Sequence, residues 1–150
     1  MKCSRFQGDP AIHITPDGAS MRFIGGQPVM DQGFENAAII SLFTRSGYWG
    51  NSLFKKQSQK IGSEYEAKCN KPIQSLITIN DITDAAEQAL KWFKDEKIMK
   101  SILIEVTNPK SDHINTSIIL GASKLSITKN GTNWTAQISN PAHAKFPEDK

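Results

Sequence analysis

The spacing of apolar residues changes once, near residue 100, and that change constrains the fold more than any other feature. Upstream, Ile82, Ala85, Ala86, Ala89, Leu90 and Phe93 keep one helical stripe. Downstream the period becomes two. Ile102, Ile104 and Val106 share one face of Ser101–Thr107, with Asn108-Pro109 ending the strand. Ile114, Thr116, Ile118 and Leu120 do the same in the next segment. Lys124–Thr128 and Asn133–Ile138 flank Asn130-Gly131, a favoured two-residue hairpin turn. Helices followed by a three- or four-strand antiparallel meander define an α+β fold, with a small helical body packed on a C-terminal β-meander. The last strand of that meander is expected to present an open edge.

Two helices carry the body. Asn80 is a good N-cap for the amphipathic one, Asp81 and Asp84 suit its first turn, and Lys94 and Lys97 suit its end. Lys71–Ile77 reads as a shorter helix with Pro72 in its first turn. The other main helix, Phe34–Thr44, opens just after Asp31 and Gly33 and is apolar nearly all round, so a buried central helix is expected. Residues 45–70 read as loop with at most a short helical piece; Gly47 and Gly50 beside Tyr48 and Trp49 predict a loop folded back on the body. Pro10, Pro16, Gly18, Gly25, Gly26 and Pro28 break up the start, leaving Ile12-His13-Ile14 and Met21–Ile24 as short strands. No repeat or long linker interrupts the chain. One domain over 1–150 is expected, with irregular arms at 1–20 and 140–150.

Composition narrows the function. In 150 residues the hydrophobic fraction is 38% and the charged fraction 22%, too rich in core residues for a disordered chain and too polar for a membrane protein. No run approaches the ~18 apolar residues of a bilayer span. The start has no apolar segment behind its charges, so no signal peptide is read and the chain is expected to be made and kept inside a cell. Net charge is +3, from 18 basic and 15 acidic groups that are not spread evenly. No stretch gives a phosphate-binding stripe, so neither nucleic acid nor membrane is expected as a partner. Lys91, Lys94, Lys97 and Lys100 alternate with Glu87, Asp95 and Glu96, which reads as a solvated helix face.

Catalytic constellations are scarce. His13, His113 and His143 fall in loop-like or edge contexts, and Cys3 and Cys69 have no metal-ligand spacing. Glu64, Glu66, Glu105 and Asp112 could serve glycoside hydrolysis only if two faced each other across a cleft; their ordinary reading is surface acid. No GxGxxG, P-loop or HExxH occurs. Three glycosylation-like triplets, at Asn115, Asn130 and Asn133, mean nothing without secretion. No enzyme activity, metal or cofactor is expected.

One string of residues carries a family resemblance. Asp31–Thr44 followed by Gly47-Tyr48-Trp49-Gly50-Asn51 resembles the Mu-like phage baseplate protein family, in which a Gly-Leu-x-x-Ala helix runs into Ser-Leu-Phe-Thr and a loop closes on Trp-Trp-Gly-Asp. Ala85–Phe93 is similar to its second signature, an Ala-rich helix ending Ala-Leu-x-Trp. The resemblance covers roughly residues 20–128. Phe34 stands where leucine is usual, Tyr48 where the first tryptophan is, and Asn51 where aspartate is. The loop between Thr44 and Tyr48 is shorter than is common there, and the Glu-Pro-Arg signature of the type VI secretion relatives is missing.

The resemblance implies a structural role, related to the baseplate wedge proteins of T-even phages and the sheath initiators of type VI secretion. It implies a virion protein of the tail baseplate, synthesised in the bacterial host cytoplasm. Its partners would be other wedge and hub proteins and the tail sheath protein, with the tail tube a further candidate. The first sheath ring would dock by strand addition to a sheet edge. The partner surface is expected on the meander, at Ile102, Ile104, Ile118, Leu125, Ile127, Trp134 and Ile138, and on the loop at Tyr48 and Trp49. Packing of that loop onto the body is the more ordinary role for the two aromatics. Two other classes remain open: a lysozyme-like peptidoglycan hydrolase and an anti-adaptor-like regulatory binding module.

Overall fold

The computed structural model describes residues 9–31, 34–71, 76–121 and 123–139. The expected arm at 140–150, and with it His143, lies outside the described residues, as do Cys3 and the segment 72–75.

The meander forms as four strands, β7 (Ile102–Lys110), β8 (His113–Leu120), β9 (Ser123–Asn130) and β10 (Asn133–Ser139), each antiparallel to the next. Period-two patterning puts Ile114, Thr116, Ile118, Leu120, Leu125, Ile127 and Ala136 on the buried face. The β9–β10 turn is Gly131-Thr132, one residue later than expected, because Asn130 pairs with Asn133. Gly131 has φ 60° and Thr132 a negative φ, the backbone signs of a type II′ turn.

Two features of the sheet correct the sequence reading. β10 is no edge: the order is β3-β2-β10-β9-β8-β7, and β2 (Ile12–Thr15) with β3 (Gly18–Met21) extends the meander beyond it. Residues 1–20 are therefore no irregular arm where they are described. Asp9–Pro10 (β1) also pairs with Met30–Asp31 (β6), and Phe23–Ile24 (β4) with Gln27–Pro28 (β5) around Gly25-Gly26. Second, β7 continues past Asn108-Pro109. From Thr107 to Lys110 it advances three residues while β8 advances two, a bulge that takes in the proline on an edge strand.

The helices pack on the buried face. α1 (Glu35–Phe43) starts where the Asp31 carboxylate accepts backbone N–H groups of Phe34, Glu35 and Asn36 at 3.2, 3.3 and 2.9 Å. That carboxylate supplies the anion the helix N-terminus favours. The helix is not buried all round: Ala38, Ile39 and Leu42 face the core, while Ile40 is 48% exposed. It lies at the surface against α3, so its surplus apolar side meets solvent.

α2 (Tyr65–Cys69) is a short helix inside the stretch read mainly as loop; Tyr65 and Cys69 point into the core. α3 (Leu76–Asp95) starts before the expected N-cap, so Asn80 is interior and exposed, and the shorter helix expected at 71–77 contributes Leu76 and Ile77 to it. Its stripe behaves as patterned: Ile82, Ala85, Ala86, Leu90 and Phe93 are buried. The helix ends in a Schellman arrangement, with Lys97 at φ 56°. The Lys97 N–H donates to Lys94 C=O at 3.0 Å and the Ile98 N–H to Phe93 C=O at 2.9 Å.

Polar ties join the layers. Trp92 Nε1 donates to Ser41 Oγ at 3.0 Å, and that hydroxyl donates to Ala37 C=O at 2.8 Å, locking α3 to α1. Tyr65 OH donates to Thr116 Oγ1 at 2.7 Å, pinning α2 to β8. Asn36 accepts from Ile12 N–H and donates to Pro10 C=O, holding the N-terminal hairpins to α1.

Candidate interaction surface

Sheet topology decides where another strand can add. Within the six-stranded sheet β8, β9, β10 and β2 are paired on both sides, so among the described residues its open edges are β3 and β7; the other sheets are pairs of two-residue strands. β3 is four residues, Gly-Ala-Ser-Met, all exposed. β7 offers the longer edge, uninterrupted from Ile102 to Thr107 before the bulge. Its exposure alternates strictly: Ile102, Ile104 and Val106 lean on the core, while Leu103, Glu105 and Thr107 face solvent, Leu103 at 63%. The solvent face of the sheet is mostly polar, with Glu105, Thr107, Asn115, Ser117, Lys124, Ser126 and Thr128 around a shallow depression.

The expected partner residues therefore part company. Ile118, Leu125 and Ile127 are core residues, buried beneath the helices. Their period-two pattern marked a buried face, and the same pattern cannot also mark a docking face. Ile102 and Ile104 are half-buried against that core from the edge strand. Trp134 is half-buried, its ring 5.2 Å from Phe43 and 6.2 Å from Tyr65, with Lys129 Nζ 5.9 Å above it. The side chain of Ile138 lies outside the described set, on a strand paired on both sides.

Tyr48 and Trp49 are placed differently. The loop does not fold its aromatics onto the body: Trp49 is 74% exposed and Tyr48 37%. A 3₁₀ turn, Trp49–Leu53, carries them outward, and Leu53 and Phe54 are exposed beside them. The two rings lie 5.5 Å apart. A Cβ at Gly50 would collide with the Tyr48 ring, so glycine there lets the ring lie across the backbone. The loop is braced. Asn51 donates to Ile61 C=O at 2.6 Å and accepts from Ile61 N–H at 2.9 Å. At its base, Ser63 N–H donates to Thr44 C=O at 2.8 Å, and Arg45 makes a forked contact with Glu66 at 3.3 and 3.4 Å. Sequence reasoning assigned no role to Leu53 and Phe54; their adjacency to Tyr48-Trp49 was the available signal.

The candidate acids do not converge. Glu64 is exposed just before α2, Glu66 is engaged by Arg45, Glu105 stands on the outer sheet face, and Asp112 sits in the β7–β8 turn beside His113 at 2.8 Å. That hydrogen bond holds the Asp112 carboxyl below its usual range. Buried groups are tuned the other way: desolvation pushes the Cys69 thiol up to about 12 and raises Tyr65 well above the ordinary phenol value. Among the described residues, no His, Cys, Asp and Glu cluster has the makings of a metal site, and no helix is long and apolar enough to cross a membrane.

No family model matches the chain, and no solved structure matches it. Over 90 residues it is 31% identical to the Mu-like prophage FluMu protein gp46 of Haemophilus influenzae, an alignment covering 55% of this chain and 63% of that protein. The chain thus matches a Mu-like phage protein, and spans rather less than two thirds of that relative's length.

Proposed function

We propose that the chain is a non-enzymatic structural component of the baseplate of a contractile phage tail, linking wedge and hub subunits and seating the first sheath ring. The observation that carries this reading is the open β7 edge, long enough to accept a strand and backed by a packed core. Likeness to a Mu-like prophage protein supports the phage setting. The resemblance of Asp31–Asn51 and Ala85–Phe93 to the baseplate family supports the place in the tail. Strand addition would satisfy the unpaired N–H and C=O groups of Ile102–Thr107, and the alternation of Leu103, Glu105 and Thr107 on the outer face would fix register.

The test is a pair of proline substitutions, Glu105→Pro and Val106→Pro. Neighbouring N–H groups of a strand point to opposite sides, so one proline removes a bond to β8 and the other removes only an outward donor. The variant that melts like the parent chain reports on docking. Tails assembled with it are expected to lack sheath by electron microscopy. Normal sheath attachment in that folded variant would remove β7 as the docking edge.

A further inference from the structure

We infer that the braced loop between Arg45 and Ser63 docks an acidic segment of a partner protein, one bearing apolar anchor residues. The loop's tip exposes four large apolar side chains within seven residues, Tyr48, Trp49, Leu53 and Phe54. Clustered exposure of this kind, rich in aromatics, is the usual composition of an interface hot spot. Charge selects the occupant. Residues 46–63 contain Lys55, Lys56 and Lys60 and no acid, and the basic group at the loop's base, Arg45, is already matched by Glu66. Among the described residues none of the three lysines is in an ion pair with a carboxylate. Lys60 lines a cleft against α3 together with Asp95, so the charge beside the exposed tip is that of Lys55 and Lys56, next to Phe54; a basic segment would be repelled there, whereas an acidic one is steered in and paired.

Geometry favours a protein over a lipid surface. The two Asn51–Ile61 hydrogen bonds and the Ser63–Thr44 bond hold the excursion in one shape, so little ordering is needed on binding. An anionic bilayer would also attract the lysines, but membrane binding scales with the apolar area buried, and two short 3₁₀ turns, Trp49–Leu53 and Gln57–Gln59, present far less of it than an amphipathic helix. The inference rests on the proposed structural role only for the source of the partner.

The experiment places p-benzoylphenylalanine at position 49 in cells producing phage, with irradiation and mapping of the cross-linked peptide by mass spectrometry. The mapped segment, made as a fluorescent synthetic peptide, is then titrated against the full chain at low and high salt. A cross-link to a net-negative segment is expected, with binding that weakens with salt and falls at least roughly tenfold in both Trp49→Ala and Lys55→Glu/Lys56→Glu. No cross-link, a cross-link to a neutral or basic segment, or affinity indifferent to the charge reversal would overturn the assignment. So would co-sedimentation with phosphatidylcholine–phosphatidylglycerol vesicles that Trp49→Ala abolishes, which would make the patch a membrane contact. An acidic cross-link from a chain that never enters particles would keep the docking site and remove the baseplate role, so the two failures are distinguishable.

Discussion

Replacing Tyr65 with phenylalanine removes one oxygen from the centre of the molecule and tests how the helical layer is held to the sheet. Tyr65 is fully buried and Thr116 is 2% exposed, and the 2.7 Å bond between their hydroxyls joins α2 to β8. The ring's packing against Phe43 and Trp134 is untouched by Tyr65→Phe. What is lost is the donor to a threonine hydroxyl that water cannot reach, a loss of about 1–3 kcal/mol. At about 2 kcal/mol, a chain of this size would melt roughly 4–8 °C lower. Thr116→Val, which keeps the β-branched shape, takes away the phenol's oxygen acceptor, leaving it the weaker Cys69 sulfur, and is expected to cost a similar amount. In the double variant neither group of the pair is stranded, so it should lie within roughly 1 kcal/mol of the parent chain, a coupling of at least about 3 kcal/mol. Urea titrations followed by tryptophan fluorescence measure all four proteins, with Trp134 as a nearby reporter. Additive losses, with the double variant down by about 4 kcal/mol, would refute the bond as the tie between layers.

Two further outcomes follow from local geometry. Lys97 holds a left-handed backbone conformation at the end of α3, so Lys97→Gly is expected to raise stability by about 0.5–1 kcal/mol, read as a higher melting temperature. Cys69 and Tyr65 are held neutral by burial, with the thiol moved from its ordinary 9.0 to about 12. The unfolded chain therefore loses these protons first. Their contribution is complete below about pH 9 and declines as pH rises towards 12, by up to about 1.4 kcal/mol per pH unit for one proton. Cys69→Ala should flatten the part of that decline that begins near pH 9, as measured by urea midpoints across the range.

Features set by local period were legible in the sequence. The stripe from Ile82 to Phe93 and the alternation from Ile102 to Leu120 each fix a face: the helical stripe and Ile114–Leu120 are buried as patterned, and Ile102, Ile104 and Val106 are half-buried on the edge strand. Asp31 and Gly33 marked the start of α1, and the Asp31 carboxylate caps it. What depends on distant pairing was not legible. Nothing near Ile12–Met21 announces that this hairpin adds to β10, yet that pairing closes the edge expected to be open. α2 was hidden because a five-residue helix shows little period, and only Tyr65 and Cys69 in it are buried. The partner residues divide on the same ground: apolar alternation marked Ile118, Leu125 and Ile127, which the core uses. For Trp49 and Leu53, exposure is set by tertiary placement, which no periodicity encodes.

The central claim, a structural place in a tail baseplate, is tested most directly by quantitative mass spectrometry of density-purified tail particles, with this chain counted against the tube and sheath proteins. The account predicts co-purification at a fixed, low ratio, as one ring of copies would give against many rings of sheath. Absence from the particles, with the chain abundant in the cytoplasm of the producing cell, would contradict it.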